Sequence, residues 1–308
     1  MTTEPALAGV IPPVVTPLDA DRRLDVPSFE RVLERLVAAG VDGVFVLGST
    51  SEVAFCTDAM RRQVLAEAVR IVAGRVPVLA GVIDTQTDRV LEHVATAERA
   101  GVNGVVATAP FYAVTPAAQV RRHFELLGRA ASVPVYAYDI PVCVHTKLDP
   151  ELLVDLGRSG SIAGVKDSSG DDISFRRLAL KNADAGSPLT LLTGHEFVVD
   201  GAYLAGADGC VPGLGNVDPA GYVALHQACR AGDWERARAI QDRLARLMEI
   251  CLSPQGTSGW GAGVGAFKTA LMLLGVITSN QLPEPFERLS GDDIESVRTI
   301  LDRVGPKA

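Results

Sequence analysis

The feature that most constrains this chain is an alternation: eight short apolar runs, each followed by a stretch with helical spacing of its apolar residues. The runs lie at 8–14, 43–47, 77–82, 104–108, 134–138, 162–165, 189–193 and 207–211. The helical patterns fall near 27–40, 57–73, 86–100, 116–130, 149–158, 171–182, 196–204 and 217–231. Strands covered on both faces read as nearly continuous apolar runs, and eight strand–helix pairs in about 230 residues have the length of a (β/α)8 TIM barrel. The competing architecture is a doubly wound sheet, which would place a glycine-rich phosphate turn after its first strand. Here the first run leads instead into Pro12-Pro13 and Pro17.

Three near-repeats support the count. Ala39-Gly40-Val41-Asp42-Gly43-Val44, Ala100-Gly101-Val102-Asn103-Gly104-Val105 and Ala205-Gly206-Ala207-Asp208-Gly209-Cys210 each end a helix on glycine and enter the next strand after a tight turn. Glycine suits the stop because it accepts positive φ at little cost. Past the eighth unit, apolar spacing predicts helices over Trp234–Met248, Ala262–Leu274 and Asp292–Val304. The fold class is therefore α/β: an eight-stranded barrel over 1–231, with a carboxyl-terminal helical extension over 232–308 packed on it or on a neighbouring subunit.

Composition narrows the partners. With a formal net charge of -8 and no basic cluster, nucleic acid is not an expected partner. No run of 18 or more apolar residues suggests a membrane span, and Met1-Thr2-Thr3-Glu4-Pro5 lacks the pattern of a secretory signal, so the expected location is the cytoplasm. The five cysteines form no Cys-x-x-Cys pair and the five histidines no His-x-x-x-His pair. Neither a metal nor a cofactor is expected.

In such a barrel the carboxyl ends of all strands meet on one face, and the chemistry is sought there. Lys166 closes the apolar run Ile162-Ala163-Gly164-Val165, where a desolvated amine can act as a nucleophile. The second run ends in Gly48-Ser49-Thr50-Ser51-Glu52, whose hydroxyls and amides suit a small carboxylate or, equally, a helix cap. The fourth ends in Pro110-Phe111-Tyr112 and the fifth in Tyr136-Ala137-Tyr138-Asp139-Ile140-Pro141. Alternation points both Tyr136 and Tyr138 the same way, and Tyr138 stands nearer the carboxyl end. His195, in Gly194-His195-Glu196, is a lesser acid–base candidate, and Thr257 and Ser258 offer hydroxyls from a glycine-rich turn.

Taken together, Gly48-Ser49-Thr50-x-Glu52, Pro110-x-Tyr112, Tyr138-Asp139-Ile140-Pro141, Gly164-Val165-Lys166-Asp167-Ser168-Ser169-Gly170 and the Gly206-to-Asn216 loop resemble the lysine-dependent pyruvate aldolases and synthases. Dihydrodipicolinate synthase and N-acetylneuraminate lyase typify that family, and the resemblance runs over about residues 8 to 300. It implies a Schiff base between Lys166 and the keto carbon of a pyruvate-type substrate. By the same resemblance Tyr138 carries protons, partnered by Thr50 and by Tyr112, the latter reaching across a tight-dimer interface in many relatives. Ser49 and Thr50 would hold the carboxylate, the backbones of Gly194, Gly209 and Val211 would line the imine pocket, and the assembly would be a dimer or a tetramer.

Departures from the pattern bear on the substrate. The synthase branch places an arginine where this chain has Cys143, and a thiol does not pair with an anion as a guanidinium does. Ser49 stands where the synthase usually has threonine, and Asp139 where asparagine is frequent. The expected activity is that of a class I aldolase on a 2-keto-3-deoxy sugar acid or similar 2-oxo acid, releasing pyruvate or condensing it with an aldehyde. The alternatives are 4-hydroxy-tetrahydrodipicolinate synthase and a 2-oxo acid dehydratase using the same imine.

Overall fold

A computed structural model describes residues 7–255, 257 and 259–306; Gly256 and Ser258 of the glycine-rich turn, and the Met1–Pro5 stretch, lie outside the described residues. Its strands are β1 (Gly9–Val10), β2 (Val44–Val46), β3 (Val78–Gly81), β4 (Gly104–Thr108), β5 (Val135–Asp139), β6 (Gly164–Asp167), β7 (Thr190–Thr193) and β8 (Gly209–Cys210). All pair in parallel, in the order β1-β8-β7-β6-β5-β4-β3-β2. The ring closes between the first and second strands, where Pro13 bridges Phe45 and the Val14 N–H donates to the Phe45 carbonyl at 2.8 Å. The apolar run 8–14 yields only two ladder residues because Pro12 and Pro13 have no N–H to give.

Asn216 ties the β1 side of this seam to the loop after β8. Its Oδ1 accepts the Val15 N–H at 3.1 Å and its Nδ2 donates to the Pro13 carbonyl at 2.8 Å. Inside the barrel Tyr136 is buried, and Gly164 on the next strand makes room for it: a Cβ there would fall 2.8 Å from the ring.

The outer layer comprises α1 (Val26–Ala38), α2 (Asp58–Val72), α3 (Thr87–Ala100), α4 (Ala117–Ala130), α5 (Pro141–Val144), α6 (Pro150–Arg158), α7 (Asp172–Asp184), α8 (Val199–Ala205) and α9 (Pro219–Arg230). Side chains take up free N–H groups at helix starts, as Asp25 does for Ser28, Thr57 for Met60 and Asp171 for Ser174. The single turn α5 is too short for apolar periodicity to register, and the sequence reading does not contain it.

Three further helices follow: α10 (Trp234–Met248), α11 (Gly259–Leu273) and α12 (Asp292–Val304). They form a helical extension on the barrel, and α11 reaches its functional face. Its Lys268 is fully buried, pairs with Glu52 and donates to the Gln281 carbonyl at 2.9 Å. Among the described residues no helix is long and apolar enough to cross a membrane, and no group of three or more His, Cys, Asp or Glu gathers as a metal site.

One buried group makes the fold sensitive to acid. His123 on α4 is 1 % exposed, its Nδ1 lies 3.0 Å from the Thr87 hydroxyl, and burial pushes its pKa from 6.5 down to about 4. The fold accepts the neutral ring, whereas the unfolded chain takes up a proton near pH 6.5. Stability is therefore complete above that pH and falls as the pH drops toward 4, by on the order of 3 kcal/mol from this group. His123→Gln is expected to flatten that limb in urea unfolding between pH 7 and 4; an unchanged limb would assign it to the carboxylates.

Candidate active site

The ladder places three of the sequence candidates, Tyr138, Lys166 and Gly209, on one rung. Thr108 pairs with Tyr138, Tyr138 with Lys166, Lys166 with Leu192, and Leu192 with Gly209. Lys166 lies one residue inside β6 rather than at its end, since Asp167 continues the strand. Only 4 % of it is exposed, and its ammonium lies over two aromatic faces, 4.0 Å from the Tyr138 ring centre and 5.0 Å from that of Phe45. A cation over a ring face is attracted by the ring quadrupole, and the rings also keep the amine out of bulk water.

Tyr136 and Tyr138 separate clearly. The Tyr136 hydroxyl accepts the Leu7 N–H at 2.9 Å, at the amino-terminal mouth of the barrel. The Tyr138 hydroxyl reaches the opposite mouth and donates to the Ser49 hydroxyl at 3.4 Å. The sequence reading partners Tyr138 with Thr50; the structure gives it Ser49. The turn explains the difference. Gly48 accepts from the Ser51 N–H at 3.1 Å and Ser49 from the Glu52 N–H at 3.0 Å, so the chain curls and adjacent side chains diverge. Thr50 is partly exposed, and its hydroxyl makes no hydrogen bond among the described residues.

Tyr112 stands apart within one chain. It is 94 % exposed, with a φ of 73° that is unusual for a bulky residue, so it does not meet Tyr138. Gly194 and Val211 spend their N–H groups on the barrel, donating to the Asp167 carbonyl at 2.7 Å and the Thr193 carbonyl at 2.8 Å. Gly209 is pressed against β1, where a Cβ would fall 2.2 Å from the Gly9 carbonyl oxygen. The His195 ring faces outward to Asp172 at 3.0 Å.

Further groups shape the site, and the sequence reading gave no role to Glu196, Lys147 or Lys268 among them. Glu196 accepts the Leu214 N–H at 2.7 Å and the Tyr222 hydroxyl at 3.2 Å, steadying the loop after β8; burial pushes its carboxyl up to about 7. Asp139 and Asp167 are both buried, and Lys147 bridges them. Cys143, half-buried on α5, has its thiol pushed up by burial, with the charge of Lys166 opposing. Lys268 was also missed, although it had a signal: it is the lone charged residue in α11.

An eight-stranded barrel with a buried lysine and a tyrosine side by side on its strands has the architecture of a class I, Schiff-base-forming carbon–carbon lyase. Residues 6–304 match the dihydrodipicolinate synthetase family, and the chain belongs to it. An uncharacterized DapA-like lyase of Halobacterium salinarum is 34 % identical over 299 residues, 97 % of this chain and 94 % of that protein. Among solved structures, dihydrodipicolinate synthase of Bacteroides thetaiotaomicron superposes with a TM-score of 0.91 at 29 % identity, covering 98 % of this chain and all of that one. YagE of Escherichia coli, a prophage protein of the dihydrodipicolinic acid synthase family solved in complex with pyruvate, gives 0.91 at 29 % identity over 97 % of this chain and 99 % of its own.

Proposed function

We propose that Lys166 is the imine-forming amine and that the chain condenses pyruvate with an aldehyde, or releases it, through that imine. The observation that carries the reading is the buried amine of Lys166 over the ring of Tyr138, whose hydroxyl leads to Ser49. The neutral amine adds to the keto carbon and water leaves, giving a protonated imine. That imine draws electrons from the neighbouring carbon, so a proton or an aldehyde can depart there and leave an enamine; an aldehyde adding to the enamine reverses the step. Tyr138, relayed through Ser49, moves the proton for water loss and for the aldehyde oxygen. The Ser49-Thr50 turn holds the carboxylate, the backbones of Gly194, Gly209 and Val211 form the wall around the imine, and Tyr112 serves a partner subunit in a dimer or tetramer.

The family match and the name of the solved Bacteroides thetaiotaomicron relative favour the synthase, a condensation with an anionic amino-aldehyde, over the sugar-acid aldolase expected from sequence. The sugar-acid reading keeps one specific observation in its support. Cys143 is half-buried on α5, where the charge of Lys166 reaches its thiol, and it supplies a neutral group where an anionic partner would need a cation. Pyruvate with borohydride should add one reduced pyruvyl group to Lys166 by peptide mass, and an unmodified Lys166 would reject the imine. A panel of aspartate semialdehyde with pyruvate, N-acetylneuraminate and 2-keto-3-deoxy sugar acids then separates the partners by pyruvate consumed or released.

A further inference from the structure

The strands that carry Tyr138 and Lys166 end on a second rung, one residue further on, where Asp139 faces Asp167. Asp139 is fully buried and Asp167 5 % exposed. Two buried carboxylates on neighbouring strands repel each other unless a cation lies between them. Lys147 is that cation: its ammonium pairs with Asp139, lies 3.8 Å from the Asp167 carboxylate and donates to its neighbour's carbonyl, that of Leu148, at 3.3 Å. The second oxygen of Asp139 accepts the Leu148 N–H at 3.1 Å. One carboxylate thus closes the whole loop from Ile140 to Leu148 on itself, and that loop carries Cys143. Asp167 is held from its other side by the Ser169 N–H at 2.8 Å and hydroxyl at 2.7 Å.

We propose that Lys147 is a positioning residue: by holding Asp139 and Asp167 together it fixes the strand ends beyond Tyr138 and Lys166 and the loop that carries Cys143. The proposal rests on the reading of Lys166 as the imine lysine, and deepens it. Burial raises the Asp139 carboxyl to about 6 even with Lys147 opposing, so the lysine is what keeps that carboxyl ionised near neutral pH. Without it the carboxylates repel, or one takes a proton and loses its grip on the loop. Asparagine at 139 should relieve this requirement, since its oxygen can still accept the Leu148 N–H while it brings no charge beside Asp167.

The test uses the full chain and pyruvate alone. Enamine formation exchanges the methyl protons of pyruvate with solvent, so deuterium uptake followed by NMR reports the imine without a second substrate. Lys147→Met is expected to slow exchange at saturating pyruvate by about tenfold or more, with a smaller change in the half-saturating concentration, and adding Asp139→Asn should restore the rate to within about threefold. In parallel, iodoacetamide labelling of Cys143, mapped by mass, should be several-fold faster in Lys147→Met and return to the starting rate in the double variant. Wild-type exchange in Lys147→Met, or a double variant as slow as the single, would overturn the proposal. If the single variant does not fold, the double variant decides: wild-type exchange supports the charge balance, and a folded but slow protein refutes it. A wild-type protein that neither traps nor exchanges pyruvate rejects the imine; Cys143 labelling then decides the loop clamp on its own, unchanged labelling overturning it.

Discussion

Lys166→Met is expected to give a folded protein that neither traps pyruvate under borohydride nor exchanges its methyl protons, with turnover lower by on the order of 10⁴-fold or more. The loss is near total because no neighbour can take over: the amine lies between Tyr138 and Phe45, and the bridging Lys147 is committed to Asp139. Stability should move the other way. Methionine has a similar reach and can lie against the same rings without a buried charge to desolvate, so the melting temperature should stay the same or rise. Fitting calorimetric scans beside trapping assays checks both halves. A variant that still acquires the pyruvyl mass would show the imine to form elsewhere.

The second large effect is on the fold. Lys268→Met should lower stability by about 3–5 kcal/mol, because it strands the Glu52 carboxylate in a place where burial already pushes its pKa up and only the lysine opposes. The corresponding fall in melting temperature is roughly 5–10 °C. Replacing both partners, as in Lys268→Met with Glu52→Leu, should recover part of the loss, since the uncompensated charge is then gone. Recovery will be incomplete because Lys268 also donates to the buried Gln281 carbonyl, which methionine leaves unpaired. The same pair ties α11 to the turn of Ser49, so activity should fall in the single variant even below its melting point. Full activity there would show that the turn holds its shape unaided.

The barrel was legible because its strands are covered on both faces and therefore read as unbroken apolar runs. Where the runs overshot, chemistry explains it: Pro12 and Pro13 are apolar enough to extend the first run and unable to extend the ladder. Lys166 and Tyr138 were legible as residues, yet their contact depends on the register of β5 against β6, which no pattern within either strand encodes. The same register brings Asp139 to Asp167, and so the bridging role of Lys147 was hidden. Ser49 and Thr50 are chemically alike and adjacent, and only the curl of the turn decides which meets Tyr138. Lys268 could have been found, because a single charge in the otherwise uncharged α11 demands a buried partner.

The seam at Asn216 has a consequence for synthesis. Its contact with Val15 joins residues 201 positions apart, so the first strand leaves the ribosome long before the side chain that fastens it exists. Throughout that interval the growing sheet has two unpaired edges rich in valine and leucine, the condition under which nascent chains stick to one another. A message cut short before Asn216 would therefore yield an open, adhesive sheet in place of a smaller working barrel.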